Sequence, residues 1–217
     1  MLQVNHISKS FNSEEVLKNL TFTLPAHKTM SILGRSGSGK TTLLKVISGL
    51  VEADEGELLW NNKNLSKLKP AEREIIYLYQ ESLLFPHMNL FDNIAFGLRV
   101  RGSGKKEIQE RTHTMIEKLE LAGMEHKMPH QLSGGQKQRV SFGRALIVNP
   151  RVLLLDEPFG NLDVETRENM QKLFKEIAHE FNITSIFVTH NLKEAIQMGD
   201  CIAYMHKGQL NPYNTIR

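Results

Sequence analysis

Met30-Ser31-Ile32-Leu33-Gly34-Arg35-Ser36-Gly37-Ser38-Gly39-Lys40-Thr41-Thr42-Leu43-Leu44 is the stretch from which the fold of this chain is read. A short apolar run of strand type stops at a glycine- and serine-rich turn, and a helical pattern follows with Leu44, Ile47 and Leu50 on one face. Gly34 to Thr41 matches G-x-x-x-x-G-K-[ST], a pattern whose backbone N–H groups cradle phosphate. The glycines let the backbone turn tightly against the anion. Lys40 supplies charge to the β- and γ-phosphates and Thr41 a hydroxyl to Mg²⁺, while the helix that starts there points its positive N-terminus at the ligand. Arg35, Ser36, Gly37, Ser38, Gly39 and Thr42 complete the expected nucleotide-contacting set. The pattern arises by chance in on the order of 1% of chains this long, and its place between strand and helix makes chance a poorer account still.

Outward from that loop, Leu2 to Val4 and Leu20 to Leu24 alternate apolar and polar as half-buried strands do, with Pro25 closing the second. Strand text resumes at Glu57 to Trp60 and at Ile75 to Tyr79. From Asp92 the pattern turns helical, broken at Gly102-Ser103-Gly104, with Ile108, Met115, Ile116 and Leu119 at helical spacing. A helix is expected from about 135 to 148, a buried strand at Val152 to Leu155, and a helix from about 164 to 180. A strand at Thr184 to Thr189, a helix at 193–198 and a strand at 201–205 complete the pattern. Buried β runs alternating with helices imply an α/β fold with a mainly parallel sheet and helices outside it.

Composition removes several classes. The 217 residues suit one domain or two small lobes. A single cysteine, Cys201, forms no intrachain disulfide, and no apolar run approaches the ~20 residues of a membrane span. The N-terminus lacks a basic-then-apolar leader pattern, so a soluble cytosolic chain is expected. A net charge of +3 with scattered cations gives no argument for a nucleic-acid partner.

Two acids complete the candidate chemistry. Asp156 and Glu157 follow the buried strand Val152 to Leu155. A carboxylate at the C-terminal end of a strand beside a phosphate loop is placed to hold Mg²⁺ through water, which suits Asp156. Glu157 is expected to orient and polarise the attacking water. Two decoys fail the same criteria. Gly102-Ser103-Gly104-Lys105-Lys106 has Arg99 where the first glycine belongs and Lys106 where the hydroxyl belongs, so it reads as a flexible loop. His126 and His130 are at zinc spacing on a helix, but Pro129 lies between them.

Leu132-Ser133-Gly134-Gly135-Gln136 matches the signature of ATP-binding cassette (ABC) ATPases, and nearly the whole chain resembles the nucleotide-binding subunit of an ABC transporter. The order of parts carries the likeness: the loop at 34–41, Gln80 after a strand, the signature, Asp156-Glu157, Leu162-Asp163, and His190 after a strand. The resemblance implies a P-loop NTPase (RecA-like) core, an N-terminal antiparallel β subdomain and an inserted α-helical subdomain. The single ABC domain is expected to divide into a sheet lobe at about 1–84 and 149–217 and a helical lobe at about 85–148, with no C-terminal regulatory domain.

The resemblance also assigns roles. Phe11 stands where the family places an adenine-stacking aromatic, usually Tyr. Gln80 reaches Mg²⁺ and the attacking water, and with Thr41 and Asp156 makes up the implied metal set. His190 contacts the γ-phosphate. Ser133, Gly134, Gly135 and Gln136 bind nucleotide held by the facing subunit, and Asp163 of the D-loop lies across that interface. The implied assembly is a homodimer or paired cassette sandwiching ATP and Mg²⁺, on integral membrane permease subunits, with a solute-binding protein as a further partner and no nucleic acid. Its place is cytoplasmic, peripheral at the inner face of the cell membrane.

Leu83 to Leu98, with Phe85, Phe91 and Phe96, closely resembles the segment after Gln in importer ATPases for polyamines, iron and sulfate. In that family the region receives a helix of the membrane subunit, and the phenylalanines are anchors or core. The expectation is therefore ATP hydrolysis coupled to solute import; the alternative is an export, lipoprotein-release or envelope-remodelling ATPase. DNA-repair and chromosome-structure ATPases insert long coiled coils between Gln80 and the signature, where this chain has 51 residues. Translation-factor relatives carry two cassettes.

Overall fold

The computed structural model describes residues 1–212. They form two sheets and six α-helices. Strands β1 (Leu2–Phe11) and β2 (Glu14–Leu24) make an antiparallel hairpin, and β4 (Glu55–Trp60) and β5 (Lys63–Asn64) extend it in the order β2-β1-β4-β5. Asn12 and Ser13 both take positive φ, 47° and 69°, as a two-residue hairpin turn requires. The second sheet runs β10-β9-β3-β8-β7-β6, from β3 (Thr29–Leu33), β6 (Ile75–Leu78), β7 (Val152–Asp156), β8 (Ser185–Thr189), β9 (Cys201–His206) and β10 (Gln209–Pro212).

β3, β7, β8 and β9 are parallel where they pair, and β10 turns back antiparallel on β9. Every residue of β3 and β8 is buried, the mark of parallel strands covered on both faces. The hairpin contributes Leu2, Val4 and Leu17 to the same core as Ile32, Leu154 and Ile186, all fully buried. Full burial of such a side chain is worth roughly 1.5–3 kcal/mol against exposure.

Parallel pairing puts functional segments on one sheet edge. Leu33 pairs with Thr189 and Asp156 with Val188, so the chain leaves β3, β7 and β8 on the same side. Gly34 N–H donates to Thr189 O at 3.2 Å and Glu157 N–H to Val188 O at 3.1 Å. Helix α1 (Lys40–Ser48) follows the loop and ends at Gly49, whose φ of 81° gives a left-handed cap.

The chain divides into two compact units: Met1–Tyr77 with Arg151–Glu157 and Asn182–Arg217, and Leu78–Pro150 with Pro158–Phe181. The second unit holds α2 (Leu90–Val100), α3 (Lys105–Lys118), α4 (Gly134–Leu146) and α5 (Val164–Glu180). α6 (Leu192–Met198) belongs to the first. Grouping by contact thus puts α5 with the inserted helices, whereas the sequence reading has it in the sheet lobe. The reason is packing: Phe142 of α4 lies 5.3 Å from Phe174 of α5 and 5.8 Å from Phe159, ring centre to ring centre.

Candidate active site

The loop after β3 is shaped by what its glycines leave out. A Cβ on Gly34 would stand 2.6 Å from Met205 O, and one on Gly39 would stand 2.9 Å from Val16 O at a φ of 107°. Gly39 is the N-cap of α1 and supplies no side-chain cap, so the first-turn amides face outward as an anion cradle. A cavity of 260 Å³ lies there, lined by Val16, Ser36, Gly37, Gly39, Lys40, Thr41, Thr42 and Glu157.

Lys40 is buried in it, at 5% exposure. Its ammonium donates to Gly34 O at 2.8 Å and Arg35 O at 3.1 Å, and Glu157 Oε1 is 3.6 Å away. Such pairing is what makes a buried charge tolerable. Glu157 itself takes a φ of 45°, a left-handed conformation that costs a side-chain-bearing residue about 1 kcal/mol or more. Its other oxygen, Oε2, accepts from His190 Nδ1–H at 2.8 Å. His190 is therefore the Nδ1–H tautomer when neutral, with Nε2 left as an acceptor.

Asp156 engages both carboxylate oxygens. Thr41 Oγ1 donates to Oδ1 at 3.2 Å, and the Tyr77 hydroxyl donates to Oδ2. A hydroxyl and a carboxylate oxygen side by side are the all-oxygen donor set that a hard divalent cation takes. The first unit thus brings together residues 34–42, Asp156, Glu157 and His190. Phe11 also belongs to this unit, at the tip of the hairpin whose second strand sends Val16 to the cavity. It is 44% exposed, with Lys9 Nζ 5.4 Å from its ring centre and Lys9 paired to Asp54 at 2.5 Å.

The second unit carries Gln80, Ser133 to Gln136 and Asp163. Gln80 is exposed just after β6. Ser133 and Gln136 form a capping box at the start of α4: Ser133 N–H donates to Gln136 Oε1 at 2.9 Å, and Gln136 N–H to Ser133 Oγ at 3.3 Å. The paired glycines differ. A Cβ on Gly135 would meet Thr166 Cγ2 at 2.8 Å, so close packing on α5 demands it, whereas Gly134 opens on free space. Asp163 caps α5 by accepting from Thr166 N–H at 3.0 Å, and that bond holds its carboxyl below the usual range.

Sequence reasoning left Phe85, Phe91 and Phe96 unsorted. All three are half-buried: Phe85 packs 4.6 Å from Phe96 and under the Arg144 guanidinium at 4.8 Å, and Phe91 packs 5.3 Å from His113. The same unit has a cleft of 350 Å³ lined by Arg111, Thr114, Met115, Leu146, Ile147 and Phe181 among others. Tyr77 and Val16 were missed altogether. Tyr77 sits in a strand pattern where an aromatic residue reads as packing, and only strand register shows what it faces; Val16 precedes the strand read at Leu20 to Leu24, which in the structure already begins at Glu14.

A glycine loop, a hydroxyl–carboxylate pair and a Glu–His pair on one edge of a parallel sheet define a P-loop nucleotide-binding fold. Residues 17–160 match the ABC transporter family, and the chain belongs to it. It is 42% identical over its whole length to the sulfate/thiosulfate import ATP-binding protein of Acinetobacter baylyi, covering 62% of that protein. It is also 42% identical over its whole length to the spermidine/putrescine import ATP-binding protein of Hahella chejuensis, covering 60%. To the molybdate/tungstate import ATP-binding protein of Pyrococcus horikoshii it is 41% identical, covering 63%. The chain therefore spans under two thirds of the length of these relatives. The ATP-binding cassette MJ0796, solved as a dimer in a post-hydrolysis state bound to ADP and Pi, superposes with a TM-score of 0.86 at 31% identity, covering all of this chain and 99% of that one.

Proposed function

We propose that this chain is the ATP-binding and ATP-hydrolysing subunit of a solute importer, a single ABC ATPase domain that works as a dimer on separate membrane permease subunits. The cluster of Lys40, Glu157 and His190 beside the phosphate cradle carries the reading. Phosphate oxygens entering the cradle offer Lys40 better acceptors than the two loop carbonyls, and its release from Glu157 frees that carboxylate to accept from water. His190, held through Nδ1–H on Glu157, turns Nε2 toward the γ-phosphate side, where in this tautomer it accepts from a water whose other proton goes to a phosphate oxygen. Thr41 and Asp156 would hold Mg²⁺, which supplies charge neutralisation on the β- and γ-phosphates; the family resemblance alone assigns Gln80 to the same cation. Phe11 offers a stacking face for adenine.

Ser133, Gly134, Gly135 and Gln136 then serve nucleotide on the facing chain, through the free backbone at Gly134 and the N-terminus of α4. Asp163 belongs to the same interface. The permease helix would dock on the second unit at the segment 83–98, where Leu83 is exposed and Phe85, Phe91 and Phe96 are half-buried. Among the described residues no helix is long and apolar enough to cross a membrane; the proposed place is peripheral, on the permease at the cytoplasmic face. The named importers for sulfate, polyamines and molybdate support import; a solute-binding protein that delivers cargo belongs to the proposal on the family resemblance alone.

The test is reconstitution with the permease subunits and a scan of sulfate, polyamines and molybdate for stimulated ATP hydrolysis and solute uptake. Stimulation by one solute class with uptake into vesicles is expected; stimulation by DNA or ribosomes, or outward transport alone, contradicts the proposal.

A further inference from the structure

We infer that Tyr77 is a positioning residue for the divalent cation: its hydroxyl fixes the Asp156 carboxylate so that Oδ1 faces the Thr41 hydroxyl. The inference rests on reading Asp156 as the cation-facing carboxylate.

Tyr77 lies in β6 and Asp156 ends the neighbouring strand β7. At neutral pH a phenol keeps its proton and a carboxylate only accepts, so the Tyr77 O–H donates to Asp156 Oδ2 and the direction of the bond is unambiguous. Thr41 Oγ1 takes Oδ1 at 3.2 Å. With Oδ2 held, the carboxylate plane no longer turns freely about its terminal torsion, which is otherwise a broad, two-fold well. The tyrosine ring is itself fixed, because it packs against the hydrophobic core beneath the sheet. A rigid donor behind a carboxylate ligand is the outer-shell arrangement whose loss typically costs 10- to 100-fold in metal affinity.

Two effects oppose each other. The hydrogen bond draws electron density from the carboxylate and weakens it as a ligand, whereas the fixed orientation removes the entropy of ordering it when the cation arrives. Oδ2 bears the bond and Oδ1 is the oxygen beside Thr41, so the withdrawal acts mainly on the oxygen turned away. Orientation is the larger effect.

Tyr77→Phe keeps the ring in the core and deletes only the hydroxyl. Binding of a fluorescent N-methylanthraniloyl-ADP is measured in EDTA and in saturating Mg²⁺, so that no turnover enters; the ratio of the two dissociation constants is the gain that Mg²⁺ confers. For Tyr77→Phe the affinity in EDTA is expected to match wild type and the gain to fall about ten-fold. Asp156→Asn should lose the gain as well. A wild-type gain in Tyr77→Phe while Asp156→Asn loses it overturns the inference alone, and a wild-type gain in both overturns the cation reading beneath it. Weaker binding of Tyr77→Phe in EDTA, with an unchanged gain, makes the hydroxyl a structural group and also overturns the inference.

Discussion

His190 Nδ1–H donates to Glu157 Oε2 at 2.8 Å, joining the residue after β8 to the residue after β7. The two sit on parallel neighbours whose register makes Val188 the partner of Asp156, so each strand's exit delivers one half of the pair. Glu157 is thereby held from two sides, by His190 on one oxygen and by Lys40, 3.6 Å away, on the other. Its positive φ points to a conformation over-determined by these partners and by the N–H bond to Val188 O.

With Lys40 drawn to phosphate, loss of the imidazole removes the remaining side-chain partner that orients the Glu157 carboxylate. His190→Ala should lower ATP turnover by about 10²-fold while nucleotide affinity changes little, since the cradle is untouched. Steady-state hydrolysis and equilibrium ATP binding, measured on the same preparation, check the split; a loss confined to affinity would contradict it.

A second prediction concerns the far end of the phosphate helix. The buried Arg73 guanidinium donates to Val46 O at 2.9 Å, Ile47 O at 3.0 Å, Ser66 O at 2.9 Å and Leu68 O at 3.1 Å, closing the C-terminus of α1. Gly49 makes room for it, since a Cβ there would stand 2.7 Å from Arg73 Cζ. Burial pushes the Arg73 pKa down, yet the carbonyls require the charged fork. Arg73→Lys should cost roughly 3 kcal/mol in denaturant unfolding, because an ammonium cannot reach four carbonyls in these directions.

Ser133 has two separable duties. Ser133→Ala removes the capping box and should cost about 1 kcal/mol of stability, whereas Ser133→Asn keeps a cap and should stay near wild type. If Ser133 also serves the facing chain's nucleotide, both variants lose ATP-dependent dimerisation. Urea unfolding reads the first duty and light scattering with ATP reads the second.

Asp163 gives a pH signature. Its folded carboxyl lies below the ordinary range because Thr166 N–H donates to the charged form. A depressed pKa contributes stability that is fully present above the unfolded value, near 3.9, and is lost as pH falls through the folded one. Asp163→Asn retains a capping oxygen without a titrating group. Below about pH 4 its stability should therefore fall less steeply with acid than wild type, and unfolding curves at pH 7 and pH 3 compare the two.

Much of this was legible in the chain because local order carried it. Strand, glycine loop and helix at 30–48 need only short-range chemistry, and so does the buried run at 152–155; the cap at Asp163 was not read, although Asp before a helical run is a local signal. What was not legible depends on register. β5 is two residues long and β10 is a four-residue edge strand paired on one side to β9, so neither has a hydrophobic period of its own. Tyr77 reads as a packing aromatic until β6 is set beside β7, and Ser133 reads as a ligand until its bond to Gln136 shows it is also a cap. The placement of α5 turned on three phenylalanine rings far apart in sequence.

The central claim is that Glu157 orients the water that cleaves ATP within a dimer. The most direct measurement is ATP turnover of Glu157→Gln beside its mass in solution with ATP. The account predicts turnover reduced by about 10³-fold and an ATP-bound dimer that persists because it is not hydrolysed. Wild-type turnover in a chain that stays monomeric with ATP would contradict it.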